Sequence, residues 1–232
     1  ETGFDPERTK ALFSYFAYSA NTDGVIIMSD ASLVKNPDRF PTLIIGADSP
    51  EPTYDCVQFD IENAVISLVK YLKDNGHRKI AYIGEELTTK KNDCFISAMR
   101  RLALTVDRDL IKINSLRFEA AGYAAMNEIL ESKKRPTAVV AAYDYVAIGA
   151  IKSIREHSLK VPDDISVVGM DNISAGETLS TPLTSVSAHE GTDALIDMLI
   201  KKIDNKYIRI KSDTMVHPKL IERESVKKIT AE

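Results

Sequence analysis

The sequence predicts an α/β fold of two doubly wound parallel-sheet lobes with a cleft between them. Two observations carry this. First, the apolar runs at residues 138–142 and 165–170 are continuous rather than alternating, as in strands covered on both faces. Between them Ala147, Ala150, Ile151 and Ile154 recur at the spacing of one helical face. That order makes a βαβ unit, whose crossover is expected to be right-handed. Second, strands and helices alternate along all 232 residues. The strands outnumber what one small sheet holds comfortably, so two lobes fit better.

In chain order, Asp5-Pro6-Glu7 predicts a helix start: a capping acid, proline at the first helical position, and an acid in the first turn. Leu12, Phe13 and Phe16 are its expected apolar face. Asp23-Gly24 turns into a buried strand at 25–28, and another strand at 42–45 follows Phe40-Pro41. Residues 48–55 are polar and proline-rich, hence a loop, and 57–59 form a short strand. From Asp60 the period becomes helical through Ile61, Val65, Leu68, Val69 and Leu72. Asn75-Gly76 closes that helix, with Gly76 suited to a left-handed C-terminal position. A strand at 79–83 precedes a helix marked by Phe95, Ala98, Met99 and Leu102. A strand at 110–113 precedes a helix marked by Gly122, Ala125, Met126, Ile129 and Leu130, which Arg135-Pro136 ends. After the βαβ unit, whose return turn is Pro162-Asp163-Asp164, residues 182–187 are extended and Leu195, Met198, Leu199 and Ile203 mark a last helix. Residues 207–210 and 215–221 are final extended pieces.

Each strand of the βαβ unit ends in a carboxylate, Asp144 after the first and Asp171 after the second. Ligands of open α/β sheets bind at the carboxyl ends of the strands, so both acids stand where a ligand would be met.

Composition excludes several classes. The net charge is −4. A surface that binds nucleic acid is normally basic, because phosphate contacts supply most of the affinity, so none is expected within these residues. The apolar runs fall far short of the ~20 residues of a membrane span, and ETGFDPERTK lacks signal-peptide character. A cytoplasmic protein without membrane partners is expected. Cys56 and Cys94 lack metal or redox spacing and read as reduced buried thiols. Nucleotide-loop, zinc-protease and nucleophile-elbow motifs are missing, so neither an enzyme nor a cofactor or metal is expected.

From about Val57 onward the chain carries an ordered series of short motifs: VQFD with Ala64; GHRKIAYIG from Gly76; EAAGY from Glu119; PTA from Pro136 and AIGA from Ala147; VPDDISVVGMD from Val161; PLTSV from Pro182; and LIERES from Leu220. In sequence and order they resemble the effector-binding region of LacI/GalR-family transcription regulators. The resemblance implies type I periplasmic-binding-protein-like lobes joined by three strand crossovers. Residues 1–59 plus 188–210 would form the N-terminal lobe and 60–187 plus 211–232 the C-terminal lobe. A small effector, a sugar or sugar derivative, would bind between them and control operator binding by a homodimer. The DNA contact would come from a helix-turn-helix head that these residues do not include. The strand, helix and strand that open the family's effector region have no counterpart before Glu1, so the first lobe is expected to be incomplete at its N-terminus. The helix at 144–157 and the segment 118–123 would supply the dimer contact, with an exposed Ile154 as its sign. A stand-alone solute-binding protein of a transport system is the alternative with the same fold.

The resemblance also implies site residues. Asp171 matches an acid that hydrogen-bonds the effector. Tyr143 takes the place of the family's usual Asn and can stack and donate one hydrogen bond. Asp144 reads as a helix cap. Lys91 falls where many sugar-binding members have an Arg, with Lys90 as its rival, and lysine offers a point charge rather than a planar fork. Arg117 lies at or beside a position that often carries a pocket aromatic, a part that Phe118 can take instead. Phe59 matches a cleft aromatic, a position core packing also explains. Ala188 replaces a frequent Gln, and His189 follows it. Lys91 and Arg117 together predict a more cationic wall than usual, and hence an anionic or phosphorylated ligand.

Overall fold

The computed structural model describes residues 5–18, 21–28, 40–45, 55–132, 134–187, 192–205 and 213–230. The expected strand at 207–210, most of the loop at 48–55, and both Ala188 and His189 lie outside them. The chain divides into two compact units, Glu1–Asp60 with His189–Val216, and Ile61–Ala188 with His217–Glu232. The last change of unit follows Val216 instead of preceding residue 211, because the strand at 213–216 pairs in the first unit. The single extended piece expected at 215–221 is therefore two strands in two sheets.

In the first unit, Asp5 caps helix α1 (Pro6–Tyr18) by accepting the backbone N–H groups of Glu7 and Arg8 at 2.9 and 3.1 Å. Phe13 and Ala17, one turn apart, are its buried positions, and Phe13 meets Phe40 edge-on with centroids 5.7 Å apart. Phe16, expected on that face, is exposed. Strands β1 (Val25–Met28), β2 (Thr42–Ile45), β3 (Asp55–Phe59) and β9 (Asp213–Val216) form an all-parallel sheet in that order. β1 was expected to be buried. As the outermost of the described strands it alternates half-buried and exposed residues, leaving Met28 74% accessible. Helix α7 (Thr192–Asp204) is tied to β3 by Lys202, whose ammonium lies 2.6 Å from both carboxylate oxygens of the buried Asp55.

The second unit holds helices α2 (Ile61–Asp74), α3 (Thr89–Arg101), α4 (Phe118–Glu131), α5 (Asp144–Glu156) and the short α6 (Ser174–Glu177). Its strands are β4 (Ile80–Glu85), β5 (Ile111–Asn114), β6 (Ala138–Ala141), β7 (Ser166–Met170), β8 (Thr184–Ser187) and β10 (Lys219–Ile221). The sheet order is β10-β8-β7-β6-β4-β5, parallel except for β10. The two most central strands, β6 and β7, are buried at every position, which is why their sequences run apolar without alternation. Gly76 sits at φ +95° after α2, as expected, and a Cβ there would lie 2.0 Å from the carbonyl oxygen of Ile229.

From β4 the chain winds outward to β5, then returns past β4 to β6. With right-handed crossovers this reversal sends α3 and α4 to opposite faces and opens a crevice outside the carboxyl ends of β4 and β6. α4 and α5 pack together closely. A Cβ on Gly122 would stand 1.9 Å from the carbonyl oxygen of Val146, and one on Gly149 2.0 Å from that of Glu119. Ile154 is fully buried in this unit's core and so does not mark a dimer surface.

Candidate functional site

Five of the six candidate ligand-binding residues converge on the carboxyl edge of the second unit's sheet. Lys91 follows β4, Arg117 and Phe118 follow β5, Tyr143 follows β6, and Asp171 follows β7. Phe59, the sixth, closes β3 in the first unit, where it is half-buried and in register with Val216.

Lys91 points inward while its rival Lys90 is exposed. Its ammonium donates to the carbonyl of Ala142 at 2.9 Å, lies 5.6 Å from the centre of the Tyr143 ring, and stands 4.0 Å from a carboxylate oxygen of Asp171. The lysine thus joins the tips of β6 and β7. The Asp171 side chain is 55% accessible.

A second cluster gathers around Glu85, the last residue of β4 and only 2% exposed. One carboxylate oxygen lies 2.8 Å from Arg117 Nε, and the other accepts the backbone N–H of Phe118 at 3.3 Å. The Tyr143 hydroxyl donates to Glu85 and accepts the same Phe118 N–H at 3.2 Å. Burial, reinforced by this carboxylate, pushes the Tyr143 phenol up to about 12. The shared N–H holds Phe118 at φ +56°, a conformation a bulky side chain rarely adopts unless its surroundings impose it. Its half-exposed ring meets Tyr143 and Tyr145 edge-on, and the Arg117 guanidinium stacks over it at 4.8 Å. Each cation therefore faces an acid, Lys91 with Asp171 and Arg117 with Glu85. The positive charge that Lys91 and Arg117 bring to this wall is thus met by two acids within the same cluster.

Asp171 is presented on a strained turn, with φ +93° and Asn172 at +49°. Several bonds over-determine it. Asp171 N–H donates to Val186 O at 2.9 Å, and Asn172 N–H to the Ser185 hydroxyl at 3.1 Å. Arg223 donates to Asn172 Oδ1 and to the Leu183 carbonyl, both at 2.8 Å. Asp144 accepts from Ile173 N–H at 2.9 Å and from the Ser185 hydroxyl at 2.7 Å. Asp144 was expected to cap its helix. It occupies the first turn of α5, with Tyr143 at the cap position, and its side chain reaches across to the Asp171 turn instead. Burial pushes its carboxyl up to about 6. Glu85 and Arg223 were not foreseen as parts of the site. Glu85 lies beyond the strand expected at 79–83, and only β4 running on to residue 85 turns it inward.

Comparison with known proteins decides the family. Residues 69–226 match the model of the periplasmic binding protein-like domain. The HTH-type transcriptional repressor PurR of Mannheimia succiniciproducens is 33% identical over 239 residues, an alignment covering 97% of this chain and 70% of the repressor. This chain belongs to the LacI-type regulators, as their effector-binding region. Solved structures share the LacI-type fold at lower identity. A transcriptional regulator CelR–cellobiose complex superposes with a TM-score of 0.79 at 24% identity, over 95% of this chain and 71% of that one. The lac repressor dimer bound to operator and the anti-inducer ONPF does so with a TM-score of 0.78 at 20% identity, over 96% and 80%. The strand-edge cluster thus belongs to a ligand-binding domain of a LacI-family regulator.

Proposed function

We propose that this domain binds a neutral, polyhydroxylated small molecule, a sugar or sugar derivative, at the carboxyl edge of the second unit's sheet. Binding would set the operator affinity of a homodimer whose DNA contact comes from a helix-turn-helix head. The observation that carries this reading is Asp171, half-exposed on a braced turn, with the Lys91 ammonium 4.0 Å away. A carboxylate accepts two neighbouring hydroxyls, and an ammonium beside it donates to a ring or hydroxyl oxygen. The half-exposed Phe118 ring offers an apolar face to the carbon side of a sugar.

An anionic ligand, which Lys91 and Arg117 alone would favour, meets a cluster whose two cations face two acids. The CelR structure holds cellobiose, a neutral sugar, in the same fold. A solute-binding protein of a transport system would share this fold, but the relative covering 97% of the chain is a repressor. The homodimer is supported by the lac repressor structure, a dimer.

Calorimetry with neutral mono- and disaccharides beside their phosphate esters tests the ligand class. A neutral sugar is expected to bind, and Asp171→Ala to weaken it about 10- to 100-fold, the worth of a hydrogen bond to a charged group. Preference for the phosphate esters removes the neutral-ligand reading. Unchanged affinity in Asp171→Ala removes the site. Light scattering on the intact regulator checks the dimer, which a monomer at micromolar concentration would refute.

A further inference from the structure

From the geometry around Arg117 we infer that Glu85 determines the charge this site accepts, selecting neutral over anionic ligands. The inference rests on the reading that ligand binds at this strand edge. Glu85 is 2% exposed, and its carboxylate spans Arg117 Nε, the Tyr143 hydroxyl and the Phe118 N–H. Arg117 is 38% accessible, so its guanidinium faces outward while the charge that balances it lies behind. A phosphate or carboxylate approaching Arg117 must therefore compete with an acid already in place 2.8 Å away, and must come close to that acid's own charge. Both effects are coulombic, and at this partly exposed guanidinium they weaken as salt rises. A neutral sugar meets neither penalty, and it can use the guanidinium as a donor without displacing Glu85. Tyr143 and Phe118 belong to the same device. Their hydrogen bonds keep the carboxylate aimed at Arg117 instead of at the ligand.

The substitution that isolates charge from shape is Glu85→Gln. D-ribose and D-ribose 5-phosphate serve as probes, since they differ by one phosphoryl group. In calorimetry at low ionic strength, the parent protein is expected to show no preference for the phosphate. Glu85→Gln should bind ribose 5-phosphate at least about 10-fold more tightly than the parent does, and the gain should shrink in 0.5 M salt through screening. Adding Arg117→Gln to Glu85→Gln should abolish the gain. No gain in Glu85→Gln, or a gain that survives removal of Arg117, overturns the inference.

Should Glu85→Gln fail to fold, Arg117→Gln alone carries the test. It leaves Glu85 uncompensated and is expected to favour glucosamine over glucose relative to the parent, and no such shift overturns the inference. The site reading is judged separately by Asp171→Ala. Sugar binding lost in Asp171→Ala, with no charge effect from Glu85, leaves the site standing and removes only the selection by Glu85. Sugar binding indifferent to Asp171 removes the site itself.

Discussion

Asp144 opens α5 directly after the cap residue Tyr143, and its carboxylate turns away from the helix. An acid beginning a helix normally caps it, yet this one spends both oxygens on Ile173 and Ser185, 29 and 41 residues away in sequence. No local pattern could reveal partners that distant, so the strand tip was legible and its bracing was not. The same reason hid Arg223, which secures Asn172 from 51 residues away. Asp144 also makes stability depend on pH. Its carboxyl titrates at about 6 in the folded state, against about 3.9 for an unfolded Asp. The stabilisation associated with its proton is fully present below pH ~4 and is lost as pH rises through 6. Urea unfolding of the parent should therefore gain about 2 kcal/mol from this group between pH 7 and pH 4.5. Asp144→Asn should lack that increment, and identical pH profiles for parent and variant would refute the assignment. His77, buried between Thr137 and the Lys227 carbonyl, works in the opposite sense. Burial lowers its pKa, so its stabilisation is intact above about 6.5 and declines as pH falls. For this reason the comparison must be made between parent and variant at each pH.

Among elements, the α4–α5 pair is the tightest test of packing. Alanine in place of a mid-helix glycine normally stabilises by up to about 1 kcal/mol. At Gly122 the sign should reverse, because the new methyl group would lie 1.9 Å from the Val146 carbonyl oxygen and force the helices apart. Gly122→Ala is expected to cost about 1–3 kcal/mol by denaturant titration, and a stabilised variant would contradict the close approach. The helix itself was readable from Ala125, Met126 and Ile129, all buried. Which residues of α5 remained for a partner was not readable, since periodicity marks an apolar face without saying what covers it. Ile154 turned inward for that reason. Strand ends were the weakest part of the reading. β4 was expected to stop at residue 83 and runs to 85, and the second of those added residues carries the carboxylate that balances Arg117.

At the scale of the molecule, the second unit was far more legible than the first. Its central strands are buried throughout, so hydrophobicity alone marks them. In the first unit β1 is the outermost of the described strands, and its apolar Ile26 and Met28, though read as core, are 42% and 74% exposed. An apolar edge strand offers unpaired backbone groups to other chains. Met28→Lys is expected to reduce self-association of this chain in concentration-dependent light scattering without lowering its melting temperature by more than a few degrees. Self-association unchanged by the lysine would show that this edge takes no part in it.

The chain leaves one unit for the other at residues 60–61, 188–189 and 216–217. A gene fragment ending at codon 188 would encode β4 through β8 yet omit β10, the antiparallel neighbour of β8. It would also omit Ser225, whose hydroxyl accepts Thr184 N–H and donates to the Val167 carbonyl. A splice joining codons 61–188 to 217–232 would encode that half alone with its closing strand in place.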